Sequence, residues 1–238
     1  MLSPGGLTNY DLNYGVECWF CQLALAAGIG GSLKRVIGYI DGFNLYFGLK
    51  ARGWKRYYWL DPVALVSRLS RPDQHLVALH YFTARIRDSR GNAEDAKRQT
   101  TYLDALASLD LLEIHEGHFL EKIRECRRCG NRWPDYEEKM TDVNIATRML
   151  VDAHEDLFDT AMLVSADSDL VTPVREIRKR FPNKRVIAAM PPRRHSHDLA
   201  RAAHGHFQIG EQNIRKSQLP EQIQTPSGFV LQRPKSWR

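Results

Sequence analysis

The feature that most constrains this chain is an alternation repeated along most of its length. Short apolar runs take turns with stretches whose apolar residues recur at helical spacing. Val36–Ile40, Leu76–Phe82, Leu111–Phe119, Thr160–Val164 and Arg185–Ala189 read as strands, and Phe207–Ile209 as a last edge strand. Between them lie the helical stretches Phe43–Leu49, Pro62–Leu69, a long helix opened by Asn92, Glu138–Ala153, Leu170–Arg180 and His197–Ala203. Asp61 before Pro62 is a cap followed by proline at the first helical position. Val143, Ala146, Met149, Leu150 and Ala153 share one helical face. Strands that are apolar throughout and separated by helices belong in a parallel sheet covered on both sides. The expected fold is α/β, a doubly wound parallel sheet in three layers.

The chain divides into three segments. Residues 1–33 read as a poorly ordered N-terminal extension, 34–210 as one α/β domain with a charged, cysteine-containing loop at 121–134, and 211–238 as a polar C-terminal surface tail. The glycine-rich junction Gly28–Ser32 precedes a strand, whereas a dinucleotide loop must follow one. Trp19–Ala27 is apolar like the middle of a signal peptide, but Met1–Glu17 contains no Lys or Arg to begin one. No run reaches the length of a membrane span, so no membrane partner is expected. These readings place the chain in the cytoplasm with its four cysteines reduced. Lys and Arg outnumber Asp and Glu by 34 to 28, which favours an anionic partner without identifying it.

In doubly wound sheets, sites form beyond the carboxyl ends of the strands. Asp41 directly follows the first strand, and Ser165, Asp167 and Asp169 directly follow the strand ending at Val164. Asp142 lies in the first turn of the helix after Lys139, placed to overhang the same edge, and Asn44 shares a face with Asp41 once the chain turns helical. Each aspartate alone is adequately explained as a cap. Strand-end acids from two separate strands are not, because carboxylates brought together repel unless a cation neutralises them. An oxygen-only set suits a hard ion, Mg²⁺ or Mn²⁺, and the matching chemistry is phosphodiester hydrolysis.

Three ordered motifs carry a resemblance. Arg35–Tyr46 (RVIGYIDGFNLY) resembles the opening of NYN-domain proteins, a branch of the PIN-like nucleases. Lys139–Ala146 (KMTDVNIA) is similar to their central helix, and Val164–Leu170 (VSADSDL), with Pro173 following, to their third motif. The likeness spans about Arg35 to Ile209. It implies a PIN-like three-layer sandwich, a metal held around Asp41, Asn44, Asp142, Asp167 and Asp169, and RNA as the substrate to be cleaved. The chain as a whole, through its ending Arg233–Trp237, also resembles bacterial monooxygenases of nicotine degradation that carry this domain. That second resemblance implies NADH as a cofactor and a small pyridine as substrate. A catalytically idle module that binds RNA or a protein partner is a third reading.

Several residues are placed to meet a substrate. Arg85 and Arg87 follow the second strand, and Arg193 and Arg194 follow the strand Arg185–Ala189, where they could hold phosphates near the metal. Ser165 sits between the two groups of acids. Trp54, Tyr57, Tyr58 and Trp59 interleave with Lys55 and Arg56, a mixture that stacks bases in some proteins and forms core in most. Cys126-Arg-Arg-Cys129-Gly130 has the form of a zinc knuckle, half of a tetrahedral structural site. The missing ligands could be His115 and His118, Cys18 and Cys21, or a pair from a second copy in an oligomer. As strand residues, His115 and His118 would point to opposite faces.

Overall fold

The computed structural model describes residues 33–86, 92–225 and 228–238. Its organisation starts from β1 (Lys34–Asp41), whose side chains alternate between two cores. Val36 and Ile40 point to one face and Ile37 and Tyr39 to the other, each at most 2% exposed. A strand apolar on both faces is stable only in the middle of a sheet, and β1 is the middle strand. The sheet runs β4-β3-β2-β1-β5-β6-β7, formed by β2 (Gln74–Ala84), β3 (Leu112–Glu125), β4 (Arg132–Lys139), β5 (Thr160–Val164), β6 (Arg185–Met190) and β7 (Gly205–Gln208). Every pairing is parallel except the edge pair β3–β4.

The chain builds outward from β1 through β2 and β3, then returns to place β5 on its other side. That reversal opens a crevice at the carboxyl ends of β1 and β5. On one face lie α1 (Gly42–Ala51), α2 (Pro62–Leu69) and α3 (Ala93–Leu106), burying Leu45, Leu49, Leu65, Val66, Leu103 and Leu106. On the other lie α4 (Thr141–His154), α5 (Val171–Arg180) and α6 (His197–Ala202), burying Ile145, Met149, Val174, Ile177 and Leu199. The three-layer α/β expectation holds. Among the described residues, no helix is long and apolar enough to cross a membrane.

Two stretches differ from the sequence reading. Most of the expected loop 121–134 is strand: β3 continues to Glu125, turns through Cys126–Gly130, and returns as β4. Its charged residues show no apolar alternation because this antiparallel pair sits at the sheet's edge. The following helix consequently begins at Thr141 rather than Glu138, after Met140 turns the chain in a left-handed conformation (φ 79°). The second stretch is 211–238, which forms α7 (Glu211–Arg215), the hairpin β8 (Gln222–Gln224) with β9 (Val230–Gln232), and a 3₁₀ turn at Lys235–Trp237. It crosses the surface but seats Ile214, Leu219, Leu231 and Trp237 in the first core. The Trp237 ring lies 5.7 Å from Tyr58, 6.3 Å from Trp59 and 6.0 Å from Tyr102, and Trp59 Nε1 donates to the Pro220 carbonyl at 2.7 Å. Trp237→Ala is therefore expected to cost roughly 3 kcal/mol, as aromatic truncation in a core does. Thermal unfolding checks this; an unchanged melting temperature would make the terminus a loose appendage.

Candidate metal centre

Asp41 ends β1 and caps α1, with Oδ1 accepting from the Asn44 amide at 2.9 Å. Helix α1 can start this abruptly because position 42 is glycine. A Cβ there would stand 2.8 Å from both the Phe82 carbonyl and the Tyr81 hydroxyl, closer than packed atoms allow. The other carboxylate oxygen, Oδ2, accepts from Ser165 Oγ at 3.0 Å, and that hydroxyl accepts in turn from the Asp167 amide at 3.0 Å. Asp167 caps the short 3₁₀ turn Ser168–Leu170 by accepting from the Asp169 amide at 2.9 Å. Asn44 Oδ1 accepts from the Ala166 amide at 3.3 Å. The turns after β1 and β5 are thus tied together by side chains of the acidic motifs themselves.

Asp142 enters from a third element, the first turn of α4. Burial, then the charges of Asp167, Asp41 and Asp169, push its carboxyl up to about 6. Burial likewise raises Asp41, opposed by hydrogen bonds from Asn44 and Ser165 and reinforced by the charge of Asp167. Asp142 therefore lies within the field of the other three aspartates and Asp41, only 5% exposed, within that of Asp167. No three of them, however, bring their oxygens within 4.8 Å of one another; among the described residues only His80, Glu113 and His115 do so. The wider spacing of the aspartates suits a hard cation that keeps several waters and takes one or two carboxylates directly.

The other expected residues divide. Ser165 is fully buried with its hydroxyl committed to Asp41 and Asp167, so it positions the acids and leaves no free face for substrate. Arg193 and Arg194 follow the carboxyl end of β6, on the edge that carries the aspartates. Arg194 lies over the Phe47 ring, 5.7 Å from its centre. Arg85 pairs instead with Glu116 on the neighbouring strand at 2.8 Å, and Arg87 lies outside the described residues. Trp59 and Tyr57 are core, at 0% and 6% exposure, which removes them as a stacking platform. The exposed aromatics on α1, the helix that Asp41 caps, are Tyr46 and Phe47, with Lys50 Nζ 5.8 Å from both ring centres. Sequence reading missed them, although Phe47 stands three residues after Asn44, on the same helical face.

The cysteine turn has the knuckle conformation. Gly130 donates to the Cys126 carbonyl at 2.8 Å with φ 68°, and the amides of Arg128 and Cys129 hydrogen-bond the Cys126 sulfur, holding its thiol below the usual value. Both cysteines are free. His115 does not join them: its position on β3 sends it to His80 on β2, with Nε2 2.9 Å from His80 Nδ1. Cys18, Cys21 and the His118 side chain lie outside the described part.

Comparison with known proteins gives three findings. Residues 35–210 match the protein family described as NYN domain. The chain is 30% identical to 6-hydroxy-3-succinoylpyridine 3-monooxygenase HspA of Pseudomonas putida, over 84% of this chain and 74% of that protein. It is also similar in fold to the crystal structure of a protein of unknown function from Vibrio parahaemolyticus, with a TM-score of 0.53, 19% identity, and coverage of 76% of this chain and 95% of that one.

The field around Asp142 gives a prediction with a definite sign. Its folded carboxyl titrates above its unfolded value, so the folded state is penalised as that group ionises. Stability should fall as pH rises from about 4 through about 6, and Mg²⁺ or Mn²⁺ should offset the fall. Asp142→Asn should raise the melting temperature at neutral pH by roughly 2–4 °C, equivalent to about 1 kcal/mol after solvent screening. A variant that melts lower at neutral pH without metal would contradict the repulsion.

Proposed function

The chain belongs to the NYN-domain family, and from that premise we propose that it is a metal-dependent ribonuclease whose Asp41, Asp142, Asp167 and Asp169 hold Mg²⁺ or Mn²⁺. Its three-layer fold and family point to a PIN-like nuclease. One observation carries the reading: at one sheet edge the charges of Asp167, Asp41 and Asp169 raise the proton affinity of Asp142 on α4, and the charge of Asp167 raises that of Asp41 at the end of β1. Such a cluster costs stability unless a cation discharges it. The bound ion would acidify an attacking water and stabilise the leaving oxygen of a phosphodiester.

The chain's own groups supply the rest. Ser165 and the Asn44 amide hold the two oxygens of Asp41 in fixed directions, and Asp167 is fixed by its cap. Asp142 completes the set from the first turn of α4, and a cation held there would keep its carboxylate ionised near neutral pH. On this reading Arg193 and Arg194, which follow β6, would meet backbone phosphates, and the half-exposed Tyr46 and Phe47 with Lys50 and Arg194 over their rings would line the path of the strand.

Labelled single-stranded RNA with Mg²⁺ or Mn²⁺ tests this. Asp41→Asn and Asp167→Asn should each reduce cleavage by on the order of a hundredfold, the scale of losing one electrostatic stabiliser. Cleavage unaffected by either substitution would remove the assignment. A second reading is favoured by the 30% identity to a pyridine monooxygenase over most of both chains. On that reading the protein would oxidise a hydroxypyridine with NADH and O₂. Consumption of NADH dependent on 6-hydroxy-3-succinoylpyridine, together with inert RNA, would select it.

A further inference from the structure

We propose that His80, Glu113 and His115 form a second metal site, separate from the aspartate rim, that takes a divalent first-row transition ion. The register of β2 against β3 assembles it. His80 pairs with Glu113 and Phe82 with His115, and these four positions share the sheet face covered by α4. His80 Nδ1 lies 2.9 Å from His115 Nε2 and 3.3 Å from Glu113 Oε2, and the last two atoms are 3.6 Å apart. An ion bonded at about 2.0–2.1 Å in tetrahedral geometry needs donors separated by roughly 3.3–3.4 Å. The triangle's sides, from 2.9 to 3.6 Å, bracket that size.

The surroundings prepare the donors. His80 is 3% exposed in a face otherwise made of Ile37, Tyr39, Phe82, Ile145 and Met149. Behind it, Nε2 stands 3.4 Å from Asp152 Oδ2. Asp152 is fully buried, accepts from the Tyr39 hydroxyl at 2.6 Å, and pairs with Arg148 at 2.9 Å. A carboxylate behind one ring nitrogen favours the proton there and leaves the opposite nitrogen's lone pair free, the arrangement that backs metal-ligating histidines. The His115 ring lies against Phe82 at 4.7 Å and 16°, which fixes its plane. A hydrogen bond between the two rings uses one proton and leaves Glu113 facing the same two nitrogens; a cation at the centre satisfies all three donors.

The donor set separates this site from the rim. Two imidazoles and one carboxylate suit Zn²⁺ or Fe²⁺ and not Mg²⁺. The Glu113 side chain is 59% exposed, so an ion can enter from solvent and keep an open position. Phe82 pairs in register with Asp41 on one side and His115 on the other, which sets the two centres about 10 Å apart across the sheet. That is too far for one two-metal site. The histidine site stands whether or not the rim cleaves RNA.

Cobalt(II) titration of the full-length protein tests it, with visible absorption as the readout. The first equivalent should produce the strong ligand-field bands of a tetrahedral nitrogen–oxygen site, without the intense sulfur-to-metal band that cysteine ligation produces; Co²⁺ at the all-oxygen aspartate rim would absorb only weakly. Zn²⁺ should bleach the strong bands. Cys126→Ser and Asp41→Asn should leave the signal intact. Glu113→Gln, an isosteric change at an exposed side chain, and His115→Asn should each weaken binding more than about tenfold. An absent signal in the folded wild-type protein, or equal binding by both ligand variants, would overturn the site.

Discussion

Negative charge concentrated where water is scarce is the constraint around which this molecule is arranged. Asp41 is nearly buried, Asp142 is half-buried, and each feels Asp167. The fold tolerates this locally because Asp41 and Asp167 are also caps, using their oxygens to satisfy the free amides at Asn44 and Asp169. The caps pin the two turns but do not discharge them, and Asp142 carries the residual repulsion. A rim of this kind is stabilised by whatever cation it admits, so metal affinity and conformational stability are linked.

The architecture brings these residues together from distant parts of the chain. β1 and β5 are adjacent although more than a hundred residues separate them, and the reversal of strand order at that junction leaves their carboxyl ends uncovered. Gly42 lets α1 start against β2, and Gly48 lets the same helix press against Pro191 and Pro192 after β6, where a Cβ would meet the Pro192 carbonyl at 2.7 Å. Arg194 and Phe47 meet across that same contact. The apposition of α1 with the loop after β6 thus brings an aromatic and a guanidinium together on the helix that Asp41 caps.

How much of this was legible in the sequence varies with the physical signal. The inner strands and the helices over them were readable because burial on both faces demands long apolar runs. The motif acids were readable because strand ends are sites in such folds. β3 beyond Phe119 and β4 were not, since an edge pair imposes no apolar pattern on residues such as Lys122, Arg124 and Glu125. Trp237 lay in a polar stretch, and nothing local announces that one ring will reach Trp59. The pairing of His80 with His115 was invisible for a different reason: it depends on the register of two strands, which neither strand encodes alone. Reading His115 beside Cys126 followed proximity in sequence where proximity in space decides.

The central claim is that four aspartates from three elements share one cation. Crystals grown with Mn²⁺ and measured for anomalous scattering test it most directly. The account predicts a manganese peak at the carboxyl edge of β1 and β5, bridged by Asp41, Asp142, Asp167 or Asp169 directly or through single waters. A structure at full manganese occupancy with no peak there, and with Asp142 turned away from Asp41 and Asp167, would contradict it.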